Sequence, residues 1–219
     1  MNVMILAAGL GERMRPLTND VPKPLLAARG RPLIDYQLFA LARAGFGRAV
    51  INVHYLADQI MSHIGNGARY GIEVVFSEEA ELLGTAGGVR KALPLLGPEP
   101  FAVLNADIFT DYDFAALPTQ LGGKLGHLVM VDNPSWHPSG DFGIDAQGIL
   151  NAGPDRLTYG CISVYEPALF REGNDGPRTM RELYDPAVER GQLTGEHFRG
   201  MWCNVGTPEQ LAALNSMIE

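Results

Sequence analysis

At 219 residues and roughly 150 residues per domain, the chain fits one α/β core with a sizeable extension better than two independent domains. Hydrophobic residues make up 46% and charged residues 19%, which excludes wholesale disorder and leaves enough apolar chain to bury a core without disulfides. With 17 basic and 25 acidic side chains the net charge is −8, which argues against a nucleic-acid partner because phosphate backbones are repelled.

Cys161 and Cys203 sit in apolar runs without CxxC or Cys/His metal spacing, so reduced, buried thiols are expected. The N-terminal MNVMILAAG has no basic region ahead of its apolar stretch and runs into a glycine loop, so no signal peptide is expected. Its charge-free run, Met1 to Gly11, is short of the ~18 apolar residues that span a membrane. A cytoplasmic chain with no membrane partner is the expectation.

In chain order, Val3–Ala7 reads as a buried strand and Pro32–Ala44 as a helix closed by Gly45 and Gly47. Ala49–Val53 is a β-branched strand, Leu56–Ile64 a short helix and Ile72–Phe76 a strand. Ala86–Leu93 is a helix stopped by Pro94, followed by strands at Phe101–Asn105 and Leu128–Val131. Residues 133–143, rich in Pro, Gly and Ser, change the texture. Short strands at Phe142–Ile144 and Tyr159–Val164, a helix around Arg178–Glu189, a strand at Phe198–Cys203 and a closing helix complete the chain. The alternation of strand and helix predicts a mainly parallel sheet flanked by helices, with ligands outside the carboxyl ends of its strands.

The most informative segment is Leu6–Leu26, LAAGLGERMRPLTNDVPKPLL. Ala8, Gly9 and Gly11 form a small-residue turn after the first strand, where backbone N–H groups can approach an anion closely. Glu12, Arg13, Arg15 and Lys23 follow. Arginine forks suit phosphate oxygens and lysine adds a point charge. Only Lys23, Lys91 and Lys124 are lysines, so this local basic excess in an acidic chain points to a polyphosphate ligand. Neither GxGxxG nor GxxxxGK[ST] is present, which excludes the usual nicotinamide and P-loop fingerprints. The five histidines share no ligand spacing with each other, cysteine or a carboxylate, and no GxSxG occurs, so metal hydrolysis and acyl transfer lack support.

The string Leu6–Thr18 followed by Pro22-Lys23-Pro24 resembles the signature of the sugar-1-phosphate nucleotidyltransferase family. The resemblance implies a Rossmann-like, mixed and mainly parallel sheet with a small sugar-binding α+β part. One domain over residues 1–219 is expected, with 1–132 the nucleotide-binding core and 133–219 the sugar-binding part and closing metal motif. It implies a Mg²⁺-dependent enzyme that joins a nucleoside triphosphate to a sugar 1-phosphate and releases pyrophosphate. Arg13, Lys23 and Asp107 are the implied catalytic residues, and Asp107 with Asn204 the metal ligands. Ala8, Gly9, Gly11, Glu12, Arg13, Lys23, Glu79, Gly84, Thr85 and Asn105 are implied to bind the nucleotide, the segment Glu79–Gly88 reading the base. Asp141, Gly143, Tyr159 and Gly160 are implied to face the sugar.

The match has departures. Trp202-Cys203-Asn204-Val205-Gly206-Thr207-Pro208 carries Asn204 where most of the family has a second metal-binding Asp. A Glu-Lys-Pro common before the second sugar segment is missing, and Arg156 is the nearest cation to replace its lysine. An Asp after a strand is often only a cap, but Asp111 and Asp113 suit that task better and leave Asp107 free. Thr207 with Pro208 behind it reads as a helix N-cap. The compact length, Asp111-Tyr112-Asp113-Phe114 and Ser139-Gly140-Asp141-Phe142 most resemble the branch that transfers uridylyl from UTP to N-acetylmuramate 1-phosphate in cell-wall recycling. Guanylyl transfer to mannose 1-phosphate is the alternative, and a nucleotide-sugar sensor without turnover a further one.

Overall fold

In the computed structural model, which describes residues 1–171 and 176–217, seven strands form one sheet in the order β12-β8-β11-β6-β1-β4-β5. These are β1 (Val3–Leu6), β4 (Arg48–Val53), β5 (Glu73–Glu78), β6 (Phe101–Asn105), β8 (Gly126–Val131), β11 (Thr158–Tyr165) and β12 (Leu193–Phe198). Strands β6, β1, β4 and β5 run parallel, and β11 is antiparallel to both β6 and β8. The mixed, mainly parallel sheet is therefore the one the sequence predicts. Residues beyond 132 supply β11 and β12 to it.

Helices α1 (Leu33–Arg43), α2 (Ala57–Ile64), α3 (Gly84–Leu96), α4 (Arg181–Glu189) and α5 (Pro208–Met217) pack around the sheet. The period of two along β1 explains the layering: Val3 and Ile5 enter one core cluster with Leu38 and Ile60, while Met4 enters another with Val89 and Leu183. A third, small cluster joins Met14 and Leu33 to Val205, Leu211 and Leu214, so α5 is fastened to the end of the glycine loop. Strands of two or three residues form three small pairings beside the sheet. They are β2 (Ala27–Ala28) with β3 (Arg31–Pro32), β9 (Gly143–Ile144) with β10 (Leu150–Asn151), and β7 (Ile108–Thr110) with β13 (Trp202–Asn204).

Several local expectations are corrected. Pro94 does not stop α3, which starts at Gly84 and runs to Leu96. The lost backbone bond is offset by burial of Leu96, and Gly97 at φ +90° ends the helix instead. The expected last strand is two strands, because the chain turns at residues 199–201 and β13 leaves the main sheet to pair with β7. Asp113 caps only a short 3-10 turn, accepting from Ala115 N at 3.0 Å. Both cysteines are free, and both are half-buried. Thr207 does cap α5, its hydroxyl accepting from Gln210 N at 3.3 Å with Pro208 as the first helical residue.

Candidate active site

The carboxyl ends of β1, β4, β5 and β6 open into a cleft of about 580 Å³. Its lining includes all ten residues expected to bind the nucleotide, from Ala8, Gly9, Gly11, Glu12, Arg13 and Lys23 to Glu79, Gly84, Thr85 and Asn105, together with Asp107. Parallel strands bring these distant segments together because their ends lie side by side.

The first wall is the glycine loop. Gly11 sits at φ +64° and the side chain of Thr18, fully buried, closes over it, the hydroxyl donating to Gly11 O at 2.8 Å. A Cβ at Gly11 would meet Thr18 at 3.0 Å. Arg13 follows in a 3-10 turn, and its Nη2 would lie 3.4 Å from a Cβ on Gly206, so the closing motif passes close beside the guanidinium. Among the described residues Arg13 makes no ion pair, which leaves its fork available to an incoming anion.

A buried polar chain forms the second wall. Asn52, at the end of β4, accepts from Ala7 N at 2.8 Å and donates through Nδ2 to Glu79 Oε1 at 2.7 Å. Glu79 Oε2 in turn accepts from Leu83 N at 3.0 Å. The chain thus ties the glycine loop to the start of α3. Gly84 and Thr85 begin that helix and are covered by the segment before α4: Ala86 N donates to Arg178 O at 3.0 Å, and Met180 N donates to Thr85 Oγ1 at 3.1 Å.

At the end of β6, Lys23 Nζ pairs with Asp107 Oδ2. Asp107 is not spent on a helix cap, as the sequence predicts, and its carboxylate is held by the lysine of the Pro-Lys-Pro loop. Its backbone carbonyl accepts from Val205 N at 2.8 Å, and the β7–β13 register sets Asn204 against Ile108. Asp107 Oδ1 and Asn204 Oδ1 are both buried and without a hydrogen-bond partner among the described residues. Two oxygen acceptors lacking donors, on residues that the β7–β13 pairing brings close along the backbone, fit a hard cation such as Mg²⁺. No cluster of three His, Cys, Asp or Glu occurs among the described residues, so no second, all-protein metal cage competes with this pair.

The four residues expected to face the sugar lie outside the lining of that cleft. The Asp141 carboxylate accepts from Tyr159 N at 2.8 Å, with His137 at 3.3 Å and Arg181 at 3.7 Å from it. Tyr159 points its hydroxyl inward to Ser163 at 2.8 Å, and burial pushes that phenol well above the usual range. Gly143 and Gly160 are needed for packing: a Cβ would meet Asn151 Oδ1 at 2.6 Å and Val129 O at 3.0 Å respectively. Gly160 adjoins a bulge in β11 where Cys161 takes φ +59°, and its carbonyl accepts from Trp202 Nε1 at 2.8 Å. The Cys161 thiol is pushed up by burial and then by the Asp107 and Asp141 carboxylates. Arg156 is committed elsewhere, donating to Gly153 O at 2.9 Å and Ala152 O at 3.0 Å in its own loop. It does not line the cleft.

Sequence reasoning missed Thr18, Asn52 and Gln37. Asn52 carried a signal, a polar residue at the end of the apolar run Ala49–Val53, and Thr18 carried one as the last residue of the family string; Gln37 had none outside the fold.

Comparison with known proteins agrees with this geometry. A nucleotidyl transferase family model matches residues 2–148. An N-acetylmuramate alpha-1-phosphate uridylyltransferase from Neisseria meningitidis serogroup B is 40% identical, over 94% of each chain. A protein of the same name from Caulobacter vibrioides is 35% identical over 96% of this chain and 94% of its own. A mannose-1-phosphate guanyltransferase from Aspergillus oryzae is 34% identical over 95% of this chain, which spans 62% of that protein. Among solved structures, a putative glucose-1-phosphate thymidylyltransferase from Bacillus anthracis superposes with TM-score 0.87, covering 99% of this chain and 94% of its own at 20% identity, a likeness of fold. With the family's signature residues gathered in one cleft at the strand ends, the chain belongs to the nucleotidyl transferase family and is a nucleotidyltransferase of the sugar-1-phosphate type.

Proposed function

We propose that the enzyme transfers uridylyl from UTP to N-acetylmuramate 1-phosphate, giving the nucleotide sugar and pyrophosphate in a cytoplasmic cell-wall recycling step. The observation that carries this reading is the convergence of Arg13, Lys23 and Asp107 on one cleft. Relatives bearing the uridylyltransferase name match almost end to end, whereas the guanylyl-transferring relatives are longer proteins.

A sugar-phosphate oxygen attacks the α-phosphorus in line, and pyrophosphate leaves on the opposite side. Little covalent work falls to the protein, so catalysis is positioning and charge stabilisation. Arg13 holds the departing β- and γ-phosphates. Lys23, released from Asp107, meets the α-phosphate and the incoming phosphate. Asp107 and Asn204 would hold Mg²⁺, which when bound would supply positive charge to the reacting phosphates. The backbone of Ala8–Gly11 and the segment Glu79–Gly88 hold the base. The segments of Asp141, Gly143, Tyr159 and Gly160 shape the sugar side, within one domain divided near residue 132. No helix among the described residues is long and apolar enough to cross a membrane.

Pyrophosphate release measured for each nucleoside triphosphate paired with each sugar 1-phosphate tests the reading. Turnover with UTP and N-acetylmuramate 1-phosphate is expected. Turnover with GTP and mannose 1-phosphate but none with UTP replaces it with the guanylyltransferase reading, and tight nucleotide-sugar binding without pyrophosphate release replaces it with a sensor.

A further inference from the structure

Gln37 lies in α1, is 5% exposed, and does not line the cleft. Its Nε2 donates to Asn105 O at 2.8 Å and to Ile108 O at 3.0 Å. Those carbonyls bracket Ala106 and Asp107, the turn that carries the carboxylate. Only the NH₂ end of the amide can serve two acceptors, so the orientation of the side chain is fixed by chemistry. The consequence is that Gln37 Oε1 is buried without a partner among the described residues. An unmatched buried acceptor works against folding. An amide retained in that position points to a task at the turn rather than to core stability.

The other restraints on the turn come from within the site. Ala106 N donates to Leu6 O at 3.0 Å, Val205 N donates to Asp107 O at 2.8 Å, and Lys23 holds the carboxylate. Lys23 must let go of Asp107 when substrate phosphates arrive, which removes one of these three. The two backbone bonds survive that exchange, and so does Gln37, which from the helix behind holds both carbonyls that flank Ala106 and Asp107.

We propose that Gln37 is a positioning residue that keeps the Asn105–Ile108 turn fixed while Lys23 changes partners, so that the buried Asp107 Oδ1 stays in place as an oxygen ligand for a divalent cation. This rests on the proposed function for the purpose of the cation, while the geometry of the turn stands without it. Partners behind metal ligands typically govern affinity by about 10–100-fold, and that sets the expectation.

The test uses Gln37→Met, which keeps length and burial but removes both donors, and Gln37→Glu, which keeps the shape and places acceptor oxygens against the two carbonyls. Mn²⁺ binding to the protein saturated with UTP is read by electron paramagnetic resonance, independently of turnover. At least about tenfold weaker Mn²⁺ binding is expected in Gln37→Met, more in Gln37→Glu, with UTP affinity in the absence of metal unchanged. In turnover assays the Mg²⁺ needed for half-maximal rate rises by a similar factor, and kcat at saturating Mg²⁺ recovers. Unchanged Mn²⁺ binding in either folded variant overturns the proposal, as does a kcat loss that added Mg²⁺ does not restore. If the wild-type protein turns over neither N-acetylmuramate 1-phosphate nor mannose 1-phosphate, the proposed function fails while the Mn²⁺ measurement still decides the role of Gln37.

Discussion

Lys23 and Asp107, 84 positions apart in sequence, form an ion pair whose side chains are only 14% and 19% exposed. The cation expected to meet phosphate and the carboxylate expected to meet metal thus neutralise each other before either ligand arrives. Taking two charges out of water is costly, and breaking such a pair by removing one partner strands the other. In the proposed reaction substrate phosphate and a divalent cation would resolve that problem, each taking one partner of the pair.

Lys23→Ala is therefore expected to act in two directions. It removes a preorganised cation from the reacting phosphates, so kcat falls by about 10²-fold or more. It also strands the Asp107 carboxylate, so Mn²⁺ binding to the ligand-free protein tightens. Arg13→Ala should lower kcat by a similar factor. Its guanidinium makes no ion pair with Asp107, so its loss strands no carboxylate. Near-wild-type rates in either variant sink the assignment of the phosphate loop, and unaltered Mn²⁺ binding in Lys23→Ala sinks the account of the pair.

Gly88→Ala sets two effects against each other. In an open helix the change stabilises by up to about 1 kcal/mol. Here the new Cβ would lie 2.6 Å from Glu79 Oε1 and 2.9 Å from Asn52 Nδ2, inside the buried chain linking Ala7 to Leu83. Crowding of this kind costs about 1–3 kcal/mol, so the clash wins and the melting temperature falls. UTP binding weakens with it, since both walls of the cleft shift. A higher melting temperature with normal UTP binding would show that the polar chain yields without consequence.

The thiols give a pH prediction. Burial raises the pKa of Cys203, and burial together with Asp107 and Asp141 raises that of Cys161. A raised thiol pKa means the protonated, unreactive form persists through neutral pH, so alkylation by iodoacetamide at pH 7.5 should be slow and leave activity intact. Cys161→Gly, which accepts φ +59° without strain, should keep activity. Rapid inactivation by iodoacetamide, protected by UTP, would instead place a reactive thiol in the site.

Much of the cleft was legible because the family string is contiguous and specific, and because parallel strands put their carboxyl ends together. The expected nucleotide residues from Ala8 to Asn105 line one cavity for that reason. What was not legible depends on contacts across the sheet. Helix α3 passes Pro94 because Leu96 is buried, which no local rule weighs against the missing N–H. The strand near the end breaks in two because Asn204 must pair beside Ile108 while Phe198 pairs beside Val131. Gln37 reads as an ordinary polar residue until the turn it holds is in place. Arg156 reads as a sugar-phosphate cation, but it lies outside the cleft and spends two of its five N–H donors on its own loop.

The metal pair yields the sharpest prediction. Asp107 offers a full negative charge, whereas Asn204 offers only a neutral carbonyl oxygen. Magnesium demands near-octahedral oxygen geometry, keeps several waters and usually takes one or two carboxylates plus substrate phosphates. With one carboxylate, and that one already paired with Lys23, the free protein should hold Mg²⁺ poorly, and the ion should arrive largely with the nucleotide. Asp107→Ala should abolish activity at any practical Mg²⁺ concentration, since it also leaves Lys23 without a partner in a half-buried setting. Asn204→Asp should keep activity and lower the Mg²⁺ needed for half-maximal rate, because its orphaned Oδ1 becomes part of a second carboxylate. Rates measured over a Mg²⁺ series in both variants decide the matter. Activity that persists in chelator, or an Asp107→Ala enzyme rescued by modest extra Mg²⁺, would remove Asp107 from the mechanism.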